Sequence, residues 1–222
     1  MSVPFPAAAA PATTAPAWQR MAAQLVSVLL HPLFVPAALV WLMLYQHPMY
    51  HLFTDGPLRL RIFAMVVLNT VLFPALVVFL LWRLKFISSV QLHTQRERIM
   101  PLTISIVFYF WAFYVGRNLE SIPPAMQQWL VGVFLGSCAA MFTNIFFKIS
   151  LHTLAAGGAV AFMLLQVCHD AHWPLHWLLL ACLLAGLAGT ARLLRGAHQP
   201  GEVYGGYLAG AICQVAAMLV LS

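Results

Sequence analysis

The feature that most constrains this chain is a succession of apolar segments, most of them long enough to cross a bilayer. A spanning helix needs about 20 predominantly apolar residues, and inside a bilayer every backbone polar group has to be paired within the protein. These requirements predict an all-α polytopic bundle of six or seven transmembrane helices. The seven candidate segments lie at residues 25–46, 61–83, 102–117, 128–147, 153–169, 174–194 and 203–222.

The charged residues fall almost wholly between these segments, as juxtamembrane residues do. Only 7% of the 222 residues are charged, against about 25% in a soluble domain, so lipid would solvate most of the surface. The formal net charge of +6 is spread too thinly to form a nucleic-acid-binding stripe. We predict an integral, multi-pass membrane protein of the bacterial inner membrane that binds no nucleic acid.

The organisation along the chain is simple. Residues 1–20 are rich in Ala and Pro, a composition that predicts a disordered tail, and residues 21–222 form a single transmembrane helical domain. The first apolar segment contains His31, Pro32 and Pro36. Because proline interrupts helical hydrogen bonding, we expect this segment to be kinked or only half-inserted.

Two glycine pairs stand at the spacing that lets helices approach closely. Gly132 and Gly136 form one pair, and Gly206 and Gly210 form the other. Small residues four positions apart share one helix face and allow backbone-to-backbone contact. We predict that both pairs lie at helix–helix contacts.

Because each span crosses the membrane, alternate loops lie on the same side, and this brings the polar residues together. The loops that follow the second, fourth and sixth spans must share a face, although up to a hundred residues separate them. These loops carry Arg96, Arg98, Lys148, Ser150, His152, Arg192, Arg195, His198 and Glu202. Random placement would scatter such groups over both faces, so their convergence predicts a functional site.

The loop after the sixth span has the residues of an activated nucleophile. Gly196 is a plausible helix C-cap, and Pro200 favours the first position of the next helix. Glu202 would then be the third helical residue and could reach one imidazole nitrogen of His198, which fixes the tautomer and makes the other nitrogen more nucleophilic. Singly, a capping glutamate and an interfacial histidine would be the simpler interpretation; together with Arg192 they favour a site.

The start of the fifth apolar helix supplies complementary groups. Ser150 and neighbouring backbone N–H groups could donate hydrogen bonds to phosphoryl oxygens. His152 stands where it could protonate a leaving alkoxide, the role of a general acid. By itself this segment would be a helix cap followed by a headgroup-facing histidine.

These residues resemble the second and third signature motifs of the type 2 phosphatidic acid phosphatase superfamily. Ser150-Leu151-His152 is similar to its Pro-Ser-Gly-His motif, and the segment from Ala191 to Glu202 matches Ser-Arg-x5-His-x3-Asp without a gap. The resemblance implies a six-helix membrane phosphatase core over about residues 60–222. It also implies roles: His198 as nucleophile, Glu202 as its orienting carboxylate, His152 as general acid, and Arg192 and Ser150 as phosphate-binding residues.

The chain departs from the family pattern at several positions. Ala191 replaces serine, Glu202 replaces aspartate, and Ile149 and Leu151 replace proline and glycine. The first family motif, Lys-x6-Arg-Pro, is absent in register before Pro101. Arg96, Arg98 and Lys148 are the candidate replacement cations, since arginine suits bidentate phosphate contacts. The two arginines read equally well as a juxtamembrane basic cluster, and the lysine could merely snorkel.

The sequence therefore predicts a phosphatase that hydrolyses a lipid phosphate or lipid pyrophosphate through a phosphohistidine, with phosphotransfer to another alcohol as a variant. Fixed cations would neutralise the phosphate, so no metal and no cofactor is expected. The alternatives are a lipid or anion transporter and an inactive relative that binds headgroups. The run from Cys168 to His176 suggests a metal site, but a helix–helix turn is favoured. Lysine and arginine counts leave the membrane orientation open, because most of the site-face cations are candidate phosphate ligands.

Overall fold

The computed structural model describes residues 15–90, 94–119 and 122–221. Within these ranges the chain is helical and contains no strands. The elements are α1 (Ala17–Leu29), α2 (Phe34–Gln46), α3 (Pro48–Phe53), α4 (Gly56–Val67), a π-helical turn (Leu68–Leu72), α5 (Phe73–Arg83), α6 (Gln95–Arg117), α7 (Pro124–Phe146), α8 (Leu151–His169), α9 (Leu175–Leu194) and α10 (Pro200–Leu221).

Among the described residues, six helices are long and apolar enough to cross a membrane, and α1 with α2 would make a seventh. The first of the six is continuous from Gly56 to Arg83 through the π-helical turn. Large apolar side chains cover outward faces, as Phe142, Ile145, Leu208 and Leu219 illustrate. Lipid is the solvent that suits such faces. The predicted all-α polytopic membrane bundle is confirmed.

The first predicted segment, residues 25–46, is broken into two helices. α1 and α2 meet at a bend of 59°, and Pro32, which has no N–H to donate, lies in the break. α1 also begins earlier than expected, at Ala17, so the predicted disorder of residues 1–20 is wrong for 17–20. The physical reason is an amphipathic pattern that the tail composition obscured. Residues 1–14 of that tail lie outside the described residues.

The third span begins seven residues before the predicted start at 102. Thr94 and Glu97 form a capping box in which each side chain accepts a hydrogen bond from the other's backbone N–H. The polar first turns therefore belong to α6, and Arg98 stands on the helix rather than in a loop. Asn144 of α7 donates to the carbonyl of Gln95 at 3.0 Å, which fixes the start of α6 against the end of α7.

Glycines let α8 and α10 touch backbone to backbone. A Cβ on Gly206 or Gly210 would overlap with carbonyl oxygens of α8, those of Ser150 and Leu154 respectively. Likewise Gly157 of α8 faces the backbone of α10. The predicted close approach at the second glycine pair is confirmed. This contact holds the first turns of α8 and α10, which carry the predicted site residues, side by side.

Gly210→Ala should separate these two helices. The added methyl group would meet the Leu154 carbonyl oxygen and the Gly158 nitrogen, both backbone atoms that cannot rotate away. Overpacking of this kind costs about 1–3 kcal/mol, so the thermal unfolding midpoint in detergent should fall by several degrees. Gly186→Ala is the matched control, because no atom lies within 4 Å of a Cβ built there. Equal midpoints for the two variants would contradict this account of the packing.

The bundle is packed more tightly in one half than in the other. Met43, Trp129, Phe162 and Met163 belong to a buried core formed where α2, α4, α7 and α8 meet. This core lies towards the C-terminal ends of α2 and α8 and the N-terminal end of α7. The opposite half, which contains the starts of α6, α8 and α10, holds a cavity instead.

Candidate functional site

One cavity of about 780 Å³ extends into the bundle from the membrane face where α6, α8 and α10 begin. The alternation of spans predicted that nine polar residues would converge on this face, and six of them line the cavity, whereas Arg96, Ser150 and Glu202 do not. The basic side chains that line the cavity are Arg98, Lys148, Arg192, Arg195, His31, His152 and His198. Most of the remaining lining is apolar and comes mainly from α1, α2, α5, α6, α7 and α8, with a few uncharged polar side chains such as Ser105 and Gln214.

His198 is placed by the turn between α9 and α10. Gly196 has a φ of 61°, and the N–H of Ala197 donates to the carbonyl of Arg192 at 3.2 Å, a Schellman ending that requires a residue tolerant of the left-handed conformation. The chain then reverses into α10 at Pro200. The His198 side chain is buried, with its residue 5% exposed, and it faces the cavity.

Glu202 orients this imidazole. His198 Nδ1 lies 2.6 Å from Glu202 Oε2, while the N–H of Gln199 donates to the same oxygen at 3.3 Å. Glu202 thus caps α10 and also holds Nδ1 as the protonated nitrogen. Among the described residues, no hydrogen bond reaches the other ring nitrogen, Nε2. Its lone pair is directed away from the carboxylate and is available for nucleophilic attack.

The surroundings keep this imidazole neutral. Burial first, and then the positive charges of Arg192, Lys148 and Arg98, hold the pKa of His198 well below its ordinary value. Burial and the Arg98 charge also lower the pKa of Lys148 from its ordinary value. A neutral imidazole is the form that can act as a nucleophile.

Three cations converge on the same end of the cavity. Arg98 is buried, and its Nη1 donates to the carbonyl of Ile149 at 3.2 Å. Lys148 approaches from the loop before α8. The Nε–H of Arg192 is buried and has no hydrogen-bond partner among the described residues. A buried donor without a partner is costly, so this arrangement favours an anion bound against Arg192.

His152 is held by a residue that the sequence analysis did not identify. Its Nε2 lies 2.9 Å from the carbonyl oxygen of Ser27 in α1, an acceptor that requires Nε2 to carry a proton. Nδ1 is therefore the nitrogen left for proton exchange. The carbonyl of Ser27 thus fixes the tautomer of His152, as the carboxylate of Glu202 fixes that of His198.

Two predicted phosphate ligands are placed elsewhere. Arg96 is exposed and does not line the cavity, because residues two apart on a helix project about 200° from each other and Arg98 takes the inward direction. Ser150 is fully buried: its Oγ accepts from the N–H of Thr153 at 3.5 Å, and its own N–H donates to the Glu202 carbonyl at 3.1 Å. Ser150 caps α8 and ties it to α10, so the prediction of a phosphate-binding hydroxyl is not supported.

The cavity also contains residues that were not predicted as ligands. Arg195 lines it one helical turn after Arg192, a spacing that places both on one face of the helix end. His31 enters from the break between α1 and α2. His31 stands at the site-side end of the first predicted span, where it could approach a headgroup pocket, although an interfacial histidine was the favoured interpretation. Nothing in the sequence indicated that it lies beside His152.

The histidine-rich turn on the opposite face forms a separate cluster. Asp170 accepts from His172 Nδ1 at 2.8 Å and lies 3.4 Å from His47 Nε2. No group of three or more His, Cys, Asp or Glu side chains among the described residues could hold a metal ion. The cluster closes the turn between α8 and α9 against the end of α2.

Glu202→Gln tests the orienting role: if the chain is the phosphatase that the sequence predicts, turnover should fall by roughly 10- to 100-fold, the usual effect of removing an orienting partner. The amide keeps the size of the side chain but can present its N–H₂ group to Nδ1, which would reverse the tautomer. The measurement is the rate of phosphate release from a lipid phosphate. Asp170→Gln, on the opposite face, is the control. Unchanged turnover in Glu202→Gln would exclude the orienting role.

The arrangement comprises a neutral, oriented imidazole, a second imidazole and several cations at the polar end of a largely apolar cavity. Such a set can transfer a phosphoryl group through a phosphohistidine, or bind an anionic headgroup. The chain matches no family model, no curated protein and no solved structure.

Proposed function

We propose that this protein is an integral-membrane phosphatase that hydrolyses a lipid phosphate or pyrophosphate through a phosphohistidine on His198. The observation that carries the proposal is the 2.6 Å pair of His198 Nδ1 and Glu202 at the cationic end of the cavity. The resemblance of the His152 and His198 segments to the type 2 phosphatidic acid phosphatase superfamily supports it. A location in the bacterial inner membrane remains a prediction.

The charge distribution supports an anionic substrate. Four cationic side chains line the cavity, those of Arg98, Lys148, Arg192 and Arg195, and Glu202 is the nearby carboxylate that pairs with His198. A cluster of partly desolvated positive charges is stabilised by a bound anion. A phosphate group would offset this charge and would also satisfy the orphaned Nε–H of Arg192.

The remainder of the cavity supports an amphiphilic substrate. Its lining along α7 extends from Ala140, near the cations, to Trp129, which corresponds to roughly 16 Å along a helix axis. Pro36, Phe79 and Val133 contribute apolar surface to this part. A headgroup at the cationic end would thus leave a hydrocarbon chain among apolar side chains.

The proposed reaction has two displacements. His198 Nε2 attacks phosphorus, and a P–N bond forms as the P–O bond to the leaving group breaks. His152 Nδ1 first takes up the proton of the bound phosphate monoanion and then transfers it to the departing oxygen. Water then attacks the phosphohistidine, His152 Nδ1 takes up one water proton, and the P–N bond breaks to release phosphate. The cations stabilise the charge on the equatorial oxygens in both steps.

Phosphate release from phosphatidic acid by the purified protein in nanodiscs, with chelator present, tests the proposal. We expect turnover, inhibition by vanadate, and an acid-labile phosphoenzyme when radiolabelled substrate is quenched in alkali. Headgroup binding without phosphate release from either phosphatidic acid or a lipid pyrophosphate would contradict the proposal. That result would favour the transporter or the inactive headgroup-binding relative.

A further inference from the structure

The break between α1 and α2 places a third imidazole beside the two that the proposed reaction uses. His31 lines the same cavity, and its ring centroid lies 5.4 Å from that of His152 in an edge-to-face arrangement. The same part of α1 supplies the Ser27 carbonyl that holds His152. The end of α1 is therefore a wall of the site.

The hydrogen bonding of His31 determines which of its ring nitrogens is a donor and which is an acceptor. The N–H of Leu33 donates to His31 Nδ1 at 3.3 Å, so Nδ1 must present its lone pair and the proton resides on Nε2. If Nδ1 were protonated as well, its N–H would face the N–H of Leu33, and the two donors would repel each other. His31 is thus held as a neutral ring with a single N–H donor, and Nε2 has no hydrogen-bond partner among the described residues.

We propose that His31 is a further substrate-binding residue, which donates its Nε2–H to the oxygen of the leaving group. This inference rests on the proposed function. In an in-line displacement the leaving oxygen lies on the side of phosphorus opposite His198, where His152 delivers its proton. His31 lies next to His152, so its donor stabilises the charge that develops on the same oxygen while His152 transfers the proton.

The test compares leaving groups of different basicity. His31→Phe keeps a ring but removes the donor, and His31→Gln restores an N–H near the position of Nε2. We expect His31→Phe to lower turnover of phosphatidic acid about 100-fold, the effect of losing one donor to a developing oxyanion. Its effect on p-nitrophenyl phosphate should be at least tenfold smaller, because a nitrophenolate needs little stabilisation. His31→Gln should recover most of the activity on phosphatidic acid.

His176→Phe, an exposed histidine at the far end of α9, is the matched control and should have no effect on either substrate. Equal losses on both substrates in His31→Phe would indicate a structural role and would overturn the inference. Full activity of His31→Phe on phosphatidic acid would overturn it as well, while the proposed phosphatase would stand. A wild-type protein that releases no phosphate from either substrate would instead reject the phosphatase proposal, and this inference with it.

Discussion

Replacing His198 by alanine should abolish phosphate release, with a loss of roughly 10⁴-fold or more. The substitution removes the Nε2 lone pair that would form the P–N bond, and no other imidazole among the described residues is held by a carboxylate at this end of the cavity. The measurement is the single-turnover rate with phosphatidic acid, together with the yield of phosphoenzyme. Both should fall to background.

Binding should survive the same substitution. The cations that line the cavity remain, and the imidazole that is removed is neutral because its pKa is held low by burial and by those cations. The positive charge that attracts the phosphate is therefore unchanged. Retention of phosphatidic acid by His198→Ala in a lipid-binding assay would therefore separate binding from chemistry. His172→Ala, on the opposite face, is the control. Substantial turnover in His198→Ala would rule out His198 as the nucleophile.

Replacing Arg192 by alanine should have the second largest effect, a loss of about 10²- to 10³-fold in kcat/KM. Its Nε–H is a buried donor with no partner in the part of the chain that the structure describes, so a phosphoryl oxygen would gain a hydrogen bond that competes with none seen there. Arg192→Lys should recover little, because an ammonium group cannot reproduce the planar fork of donors. The measurement is kcat/KM for phosphatidic acid.

The control for Arg192 is Arg83→Ala, which removes the same charge from an exposed position at the end of α5. A general electrostatic attraction of anionic lipid would make the two variants alike, and its contribution would fall as salt is added. A specific contact would leave Arg83→Ala near wild type in both low and high salt. Equal losses in the two variants would contradict a direct role for Arg192.

The parts of the site that the sequence predicted depend on short-range geometry. His198 and Glu202 are four residues apart across a helix start, so a capping rule was sufficient to bring them together. Arg192 lies in the last turn of α9, directly before the turn that carries His198, so its proximity was also predictable from local spacing. Apolar segments indicated six or seven spans, and six helices in the described ranges are long and apolar enough. The segments 102–117 and 153–169 were shorter than a full span, and the polar first turns of α6 concealed its start.

The parts that it missed depend on contacts between distant elements. Ser27 and His152 are 125 positions apart, and no local pattern joins a backbone carbonyl to a remote imidazole. Helix periodicity could have separated Arg96 from Arg98 once α6 was known to begin at Gln95. The volume of the cavity depends on how α1, α5 and α7 pack, and composition does not define that packing.

The glycine contact between α8 and α10 has a consequence for how such a protein can diversify. The two imidazoles extend from the N-terminal ends of helices whose backbones are in direct contact at glycines, so the distance between their main chains is fixed by helix packing. The hydrocarbon-facing walls on α5, α6 and α7 belong to other helices. In the proposed phosphatase, substitutions in those walls would change which hydrocarbon tail is accepted and leave the separation of the two histidine backbones as it is.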